Sequence, residues 1–274
     1  MGRDIVKAKL DVVFKKMFSD SENEDMLHDF LSSLLEIPYD DIKNIVVQNS
    51  EILPETLTGK FGRLDLKMQV DNRTVNVEMQ VNKDDSFKDR SLFYWSKLYS
   101  GDLKSGEEYE SLRQSICINI INFNAFETPE YHSVFRMLES TRHELLTDKC
   151  AIHFFELRKI GKHINKNDRM KLWLQLINAE SEEELDMLEK TEIPAIRKAV
   201  MVIHEMSDDE KVREIAFQRE KAMHDEASAL GSALRQGRAE GRAEGRAEER
   251  KEIIRLLRLS GMSDEEINRR LSEK

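Results

Sequence analysis

The chain has 274 residues, of which 39% are hydrophobic and 35% charged, and its formal net charge is −10 at pH 7. That length admits one large domain or two modest ones with an ample core, and no apolar run approaches the ~20 residues of a membrane span. The acidic balance excludes duplex binding through a uniformly basic surface, because such binding rests on phosphate neutralisation by Lys and Arg, and it leaves only a local basic patch for that role.

Residues 4–18 predict a helix, with Val6, Leu10, Val13, Phe14 and Met17 at helical spacing. Asp11 and Lys15 lie four apart on one face of it, which by itself makes an i,i+4 ion pair. Residues 1–20 carry Arg3, Lys7, Lys9, Lys15 and Lys16 against Asp4, Asp11 and Asp20, a locally basic segment. The start, Met1-Gly2-Arg3-Asp4, lacks the apolar stretch of a secretory signal. A second helix over 23–35 presents Met26, Leu27, Phe30, Leu31, Leu34 and Leu35, and Pro38 ends the unit. Residues 42–47 predict a short strand and 50–61 a loop holding Pro54 and Gly59.

The next stretch alternates. Leu64, Leu66, Met68 and Val70 fall at every second position, as do Val75, Val77, Met79 and Val81. Period two predicts half-buried strands, and Asp71-Asn72 between them predicts a β-hairpin. A two-residue loop pairs Val70 with Arg73, Gln69 with Thr74, Lys67 with Asn76, Asp65 with Glu78 and Arg63 with Gln80; a three-residue loop would shift that register by one. Opposed Cβ atoms stand about 4.5–5.5 Å apart. Carboxylates at Asp65 and Glu78 would then repel unless a cation or a shared proton lay between them. Hard divalent cations take oxygen ligands of this kind. Two readings stay open on these residues alone: a metal site on a hairpin, or an exposed polar face paired by accident.

Residues 87–103 predict an amphipathic helix with Phe87, Leu92, Tyr94, Trp95, Leu98 and Tyr99 as its bulky side chains, packed on the sheet. Arg90 and Tyr94 stand four apart on it, and Arg suits phosphate recognition. The apolar run 115–123 predicts a central strand buried on both faces. Residues 124–150 are less regular, with a turn at Thr128-Pro129, and 151–160 predict another strand in which His153 is a core or edge residue. Cys117 and Cys150 read as buried free thiols, and the expected location is a reducing cytoplasm.

From Asp168 to about Leu234 the pattern is helical, with Pro194 at a helix start and Ser207-Asp208 as a cap. Gly-Arg-Ala-Glu then repeats three times over 237–248. Like charges recur at i,i+4 and three glycines intervene, so the segment is a poor solitary helix. It becomes reasonable with partner helices laid along its small residues; otherwise it is a partly helical linker. Residues 252–259 predict a firmer helix, and Ser263 with Glu266 forms a capping box for 264–271. The expected organisation is a core over 1–160, a helical subdomain over 161–235 and a helical tail over 236–274. A homo-oligomer, a dimer through the C-terminal helical region, is the expected assembly.

An Asp on one strand followed by Glu-x-Lys on the next is the core of PD-(D/E)XK nucleases, and Asp65 with Glu78-Met79-Gln80 resembles it, with Gln in the place of Lys. Residues 11–18, Gly62-Arg63-Leu64-Asp65, residues 75–80, residues 90–99 and Gly106-Glu107-Glu108-Tyr109 together are similar to the recombination-promoting nuclease / putative transposase (Rpn) branch, whose members share Glu-x-Gln. The resemblance implies an α/β, restriction-endonuclease-like core: a mixed central sheet flanked by helices. It implies Mg²⁺-dependent DNA endonuclease activity, with Mn²⁺ or Ca²⁺ as alternatives, linked to recombination or mobile elements. Asp65 and Glu78 would hold the metal, and Asp11 would add an acid. Gln80 would join the catalytic set, with Lys67 or Lys15 supplying the positive charge it lacks. Arg63, Arg90 and Lys16 would contact nucleic acid. The competing expectation is a catalytically weak DNA-binding or oligomeric interaction module of the same fold, in phage defence.

Overall fold

The computed structural model describes residues 4–48, 51–52, 62–63, 65–103 and 106–272. Its contacts divide the chain into two compact units, Met1–Glu220 and Lys221–Lys274.

The first unit is built on six strands: β1 (Ile45–Gln48), β4 (Leu66–Val70), β5 (Arg73–Gln80), β6 (Gln114–Ile121), β7 (His132–Phe135) and β8 (Cys150–Glu156). Their order is β1-β4-β5-β6-β8-β7. The β1-β4-β5 side is antiparallel, β5-β6-β8 is parallel, and β7 returns antiparallel. The mixed sheet among helices is the expected α/β fold. β6 and β8 are buried almost end to end, as continuous apolar runs at the centre of a parallel sheet should be. The strand at 132–135 lies within the stretch read as irregular. It is a four-residue edge strand, too short to establish a period.

The hairpin register agrees with the sequence from Val70↔Arg73 through Lys67↔Asn76. Asp71 takes the left-handed conformation at the turn, with φ 49°. The ladder stops at Leu66↔Val77. Arg63 does not continue it to face Gln80: its backbone pairs with Glu51 in a separate ribbon of β2 (Glu51–Ile52) and β3 (Gly62–Arg63). Leu64 and the Arg63 side chain lie outside the described residues, as does most of the loop at 50–61. The break has a local cause. The Asp65 carboxylate accepts from Met79 N at 2.7 Å, taking the bond that the backbone carbonyl of a continuing strand would fill.

The first helix is shorter than its periodicity predicts. α1 spans Asp11–Ser19, and residues 4–10 run ahead of it as a strap in which Ile5, Val6, Ala8, Lys9 and Leu10 are buried. Val6 N donates to Ser207 Oγ at 3.0 Å and Leu10 N turns back to Lys7 O at 3.0 Å, so a tertiary bond and a turn stand where the first helical turns were expected. Two of the expected N-terminal cations are spent inside the fold: Lys7 pairs with Glu220 and the buried Lys9 with Glu180. α2 (Glu24–Leu35) follows as expected, and Glu36 closes it in the left-handed region at φ 54°. Phe14 and Phe18 of α1 and Phe30 of α2 gather with Trp173 of α4 (Arg169–Ile177). The Trp173 indole donates to Asp29 at 2.8 Å, and Arg169 pairs with the same carboxylate. α5 (Glu182–Glu189) and α6 (Pro194–Asp208) complete the helices that pack around α1 and α2, with Pro194 in the first turn of α6 as expected. The cap before the next helix is Asp209, not Ser207-Asp208. Its Oδ1 accepts from Lys211 N at 2.9 Å, whereas Ser207 lies inside α6 and donates to Ile203 O.

Between β5 and β6 the chain crosses over through α3 (Phe87–Ser100), which packs on β6 and β8. Phe87, Trp95 and Leu98 join Cys117, Ile121, Cys150 and Phe154 in one cluster. Both cysteines are buried and free.

α7 is a continuous helix, Glu210–Leu259, so the Gly-Arg-Ala-Glu repeat is helical. In the second unit it is followed by a turn at Gly261, φ 87°, and by α8 (Asp264–Ser272). The capping box is formed as expected: Glu266 N donates to Ser263 Oγ and Ser263 N to Glu266 Oε2. Among the described residues, no helix is long and apolar enough to cross a membrane.

Candidate active site

Glu78 and Gln80 stand near the carboxyl end of β5, where the parallel part of an open α/β sheet leaves room for a ligand. β4 runs the other way, so its first residues meet that end. Asp65, just before β4, is therefore brought to Glu78. Its amide donates to Glu78 Oε1 at 3.3 Å, and Asn76 Nδ2 donates to the same oxygen at 3.2 Å. Glu78 is 8% exposed and Asn76 fully buried, so this is no solvent-facing polar surface.

Burial raises both carboxyls above the ordinary carboxylate range. Asp65 pushes Glu78 up further, while Asn76 and the Arg90 charge oppose it. The Met79 amide, Lys15 and Arg219 oppose the rise of Asp65, and Asp11 adds to it. Among the described residues, hydrogen bonds engage Glu78 Oε1 and Asp65 Oδ2 and leave the second oxygen of each uncommitted. Two hard oxygens facing a crowded negative site fit a divalent cation that keeps much of its water. No group of three or more His, Cys, Asp or Glu side chains gathers as a ready-made metal cage among the described residues.

α3 brings the positive charge. Arg90 Nη2 donates to Gln80 Oε1 at 2.7 Å, and Nη1 to Asp84 Oδ2 at 3.1 Å. Gln80 spends its amide nitrogen on Asn82 O at 2.9 Å. Gln80 is thus held at both ends, and a guanidinium stands beside the place where Glu-x-Lys would put its ammonium. Two bonds fix α3 on the sheet to either side of Tyr94. Asn119 Nδ2 donates to Ser91 Oγ at 2.8 Å, and Trp95 Nε1 to Ser115 O at 3.0 Å. Tyr94 is half-buried, and burial followed by the Glu78 charge raises its hydroxyl. The sequence supplied Tyr94 only as a packing residue four positions after Arg90.

Asp11 and Lys15 on α1 are brought within electrostatic reach of Asp65. The Asp11 carboxylate accepts from Arg219 Nε at 2.7 Å. Arg219 lies on α7, 208 residues further on, and nothing local in sequence announces it. Lys67 lies on the Asn76 side of the hairpin, half-buried, and Lys16 is exposed on α1.

A family model described as PD-(D/E)XK nuclease family transposase matches residues 8–233, a span that takes in Asp11, Asp65, Glu78, Gln80, Arg90 and Arg219. No curated protein and no solved structure matches the chain.

Proposed function

This chain belongs to the PD-(D/E)XK nuclease family of transposases, and on that premise we propose that it is a metal-dependent DNA endonuclease centred on Asp65 and Glu78. The carrying observation is the pair itself: a buried Glu78 and a half-buried Asp65, each with one carboxylate oxygen uncommitted among the described residues, at the open end of a hairpin. The donor set suits Mg²⁺ first and admits Mn²⁺ or Ca²⁺. A cation held there would polarise a phosphoryl oxygen and lower the pKa of an attacking water.

The chain's own residues divide the remaining work. Asp65 and Glu78 supply ligand oxygens. Asp11, paired with Arg219, adds its negative charge next to Asp65 and takes part through water. Gln80 fixes Arg90, which replaces the missing lysine as the positive charge next to the scissile phosphate. Lys15 places a second positive charge by Asp65, and Lys67 a third on the hairpin face. Arg63 and Lys16 extend the contact along the DNA backbone. The biological setting is recombination or mobile-element movement, in the cytoplasm, and the working form is a homo-oligomer, a dimer through the C-terminal helical region.

The second reading, a catalytically weak DNA-binding or oligomeric module in phage defence, draws support from the net charge of −10 and from Lys7 and Lys9 being tied up in ion pairs. Nicking of supercoiled plasmid separates the two. With Mg²⁺ the wild type nicks, and Asp65→Asn and Glu78→Gln each slow it by about 100-fold or more. Folded variants that nick at the wild-type rate would sink the site. DNA retardation without any cleavage would favour the second reading.

A further inference from the structure

The unexplained feature of this molecule is the exposed repeat in α7. Arg238, Arg242 and Arg246 form one ridge, and Glu240, Glu244 and Glu248 form another. Among the described residues none of these six makes an ion pair within the chain, and Glu240 has only the Gln236 amide, at 2.8 Å. Arg238, Arg242, Glu240 and Glu244 have no opposite charge three or four positions away, where a helix could satisfy them itself. The glycines between them are equally unaccounted for. Gly is the poorest helix former after Pro, yet a Cβ added at Gly237, Gly241 or Gly245 would meet nothing within 4 Å. Packing inside the chain does not require them.

We infer that two copies of the chain pair in parallel along this repeat, the Arg ridge of each lying against the Glu ridge of the other. The inference deepens the self-association proposed above and rests on it. Its orientation comes from charge complementarity. Viewed down the helix, Arg242 lies about 100° to one side of Gly241 and Glu240 about 100° to the other. In a parallel pair, a two-fold axis along the helices sets the left flank of one copy against the right flank of its partner, so Arg meets Glu on both sides. In an antiparallel pair, the perpendicular axis sets like flanks together, Arg on Arg and Glu on Glu. The same flank rule orients parallel coiled coils. Spacing of four adds the geometry. The ridge drifts about 40° per step, so the helices cross right-handed and steeply, near the roughly −50° class, with Gly241 at the crossing. Glycine there lets the two backbones approach closely.

The test uses the full-length chain. Light scattering at micromolar concentration should give twice the chain mass. Gly241→Leu should raise the dimer dissociation constant about tenfold or more, although Leu favours the helix itself. A Gly241→Leu protein that dimerises as the wild type does would overturn the contact. Orientation is read from a nitroxide on Ser228→Cys, since Cys117 and Cys150 are buried. Ser228 precedes Gly241 by about 20 Å of helix. Parallel pairing at that crossing angle puts the two labels roughly 20 Å apart, and antiparallel pairing roughly 40 Å. The longer distance would overturn the orientation while leaving the dimer standing. A monomeric mass would overturn both the orientation and the self-association beneath it.

Discussion

Like charges are pressed together in two places in this chain, in opposite surroundings. Asp65 and Glu78 are crowded at the dry end of a hairpin, with Glu78 8% exposed. The Arg and Glu ridges of the repeat are crowded in water, on residues that are all exposed. Two unit charges about 4 Å apart interact by about 1 kcal/mol in water and about 4 kcal/mol at an effective dielectric of 20. The buried crowding therefore has to be relieved by a proton or a cation. The exposed crowding is tolerable alone and gains only modestly from a partner. One pattern, like charges close together, thus has two physical meanings: on the proposed function it is a chemical site in the first region, and on the inferred pairing it is a recognition surface in the second.

The largest expected effect tests how the buried site is balanced. If Arg90 replaces the absent lysine, Arg90→Ala should slow nicking by about 100-fold, the range for removing one preorganised electrostatic group. Metal binding by titration calorimetry should persist, since the ligand oxygens remain. Gln80→Lys should keep cleavage and should partly rescue Arg90→Ala, because it returns a positive charge to the same neighbourhood. Failure of that rescue in a folded double variant would mean that Arg90 acts by orienting Gln80 and not by its charge.

A smaller effect comes from protons. Glu78 is raised to about 8 from 4.5, chiefly by burial and then by Asp65. The folded chain therefore holds that proton where the unfolded chain has lost it. The contribution is fully present below the unfolded value and is lost as pH climbs from about 4.5 to about 8. Metal-free wild type should lose stability across that window, and Glu78→Gln should flatten the loss. Mg²⁺ at pH 8 binds the native state alone and should raise the wild-type Tm on the order of 5 °C, but not that of Glu78→Gln. Melting curves with and without chelator decide it; identical pH profiles for the two proteins would mean that the carboxyl is not strained.

The same contrast explains what could be read from the sequence. Strict alternation around Asp71-Asn72 fixed the hairpin register and with it the meeting of Asp65 and Glu78, because a slip of one residue would turn every apolar side chain outward. The break after Leu66 was not readable, since it depends on one side chain intercepting one backbone amide. Nor was the burial of Asn76 and Glu78: a polar face looks the same in sequence whether water or α3 covers it. Arg219 reaches the site only through the packing of α7, and the Arg90–Gln80 bond only through the seating of α3. The strap at 4–10 misled because Val6 keeps a helical interval to Leu10, the residue that opens α1, while its own amide donates to Ser207 on α6. The repeat's unanswered charges were legible in the sequence, and its helical state in α7 agrees with one of the two readings they allowed.

Salt gives the smallest effect and the sharpest separation of the two regions. Exposed ion pairs contribute about 0.2–1 kcal/mol each, and the screening length falls from about 10 Å at 0.1 M to about 3 Å at 1 M. If the repeat pairs through its ridges, raising NaCl from about 0.05 to about 0.5 M should weaken the dimer roughly three- to tenfold. Buried charges are screened much less. The stability slope that Glu78 imposes between about pH 4.5 and about 8 should therefore survive the same change of salt in metal-free protein. Light scattering dilution series and melting curves at the two salt concentrations measure both quantities on one preparation. An association indifferent to salt would assign the contact to the glycine approach alone and remove the argument for a parallel pair. A pH slope that collapsed with salt would show Glu78 open to solvent, and the contrast between the dry pair and the wet ridges would fail at its buried end.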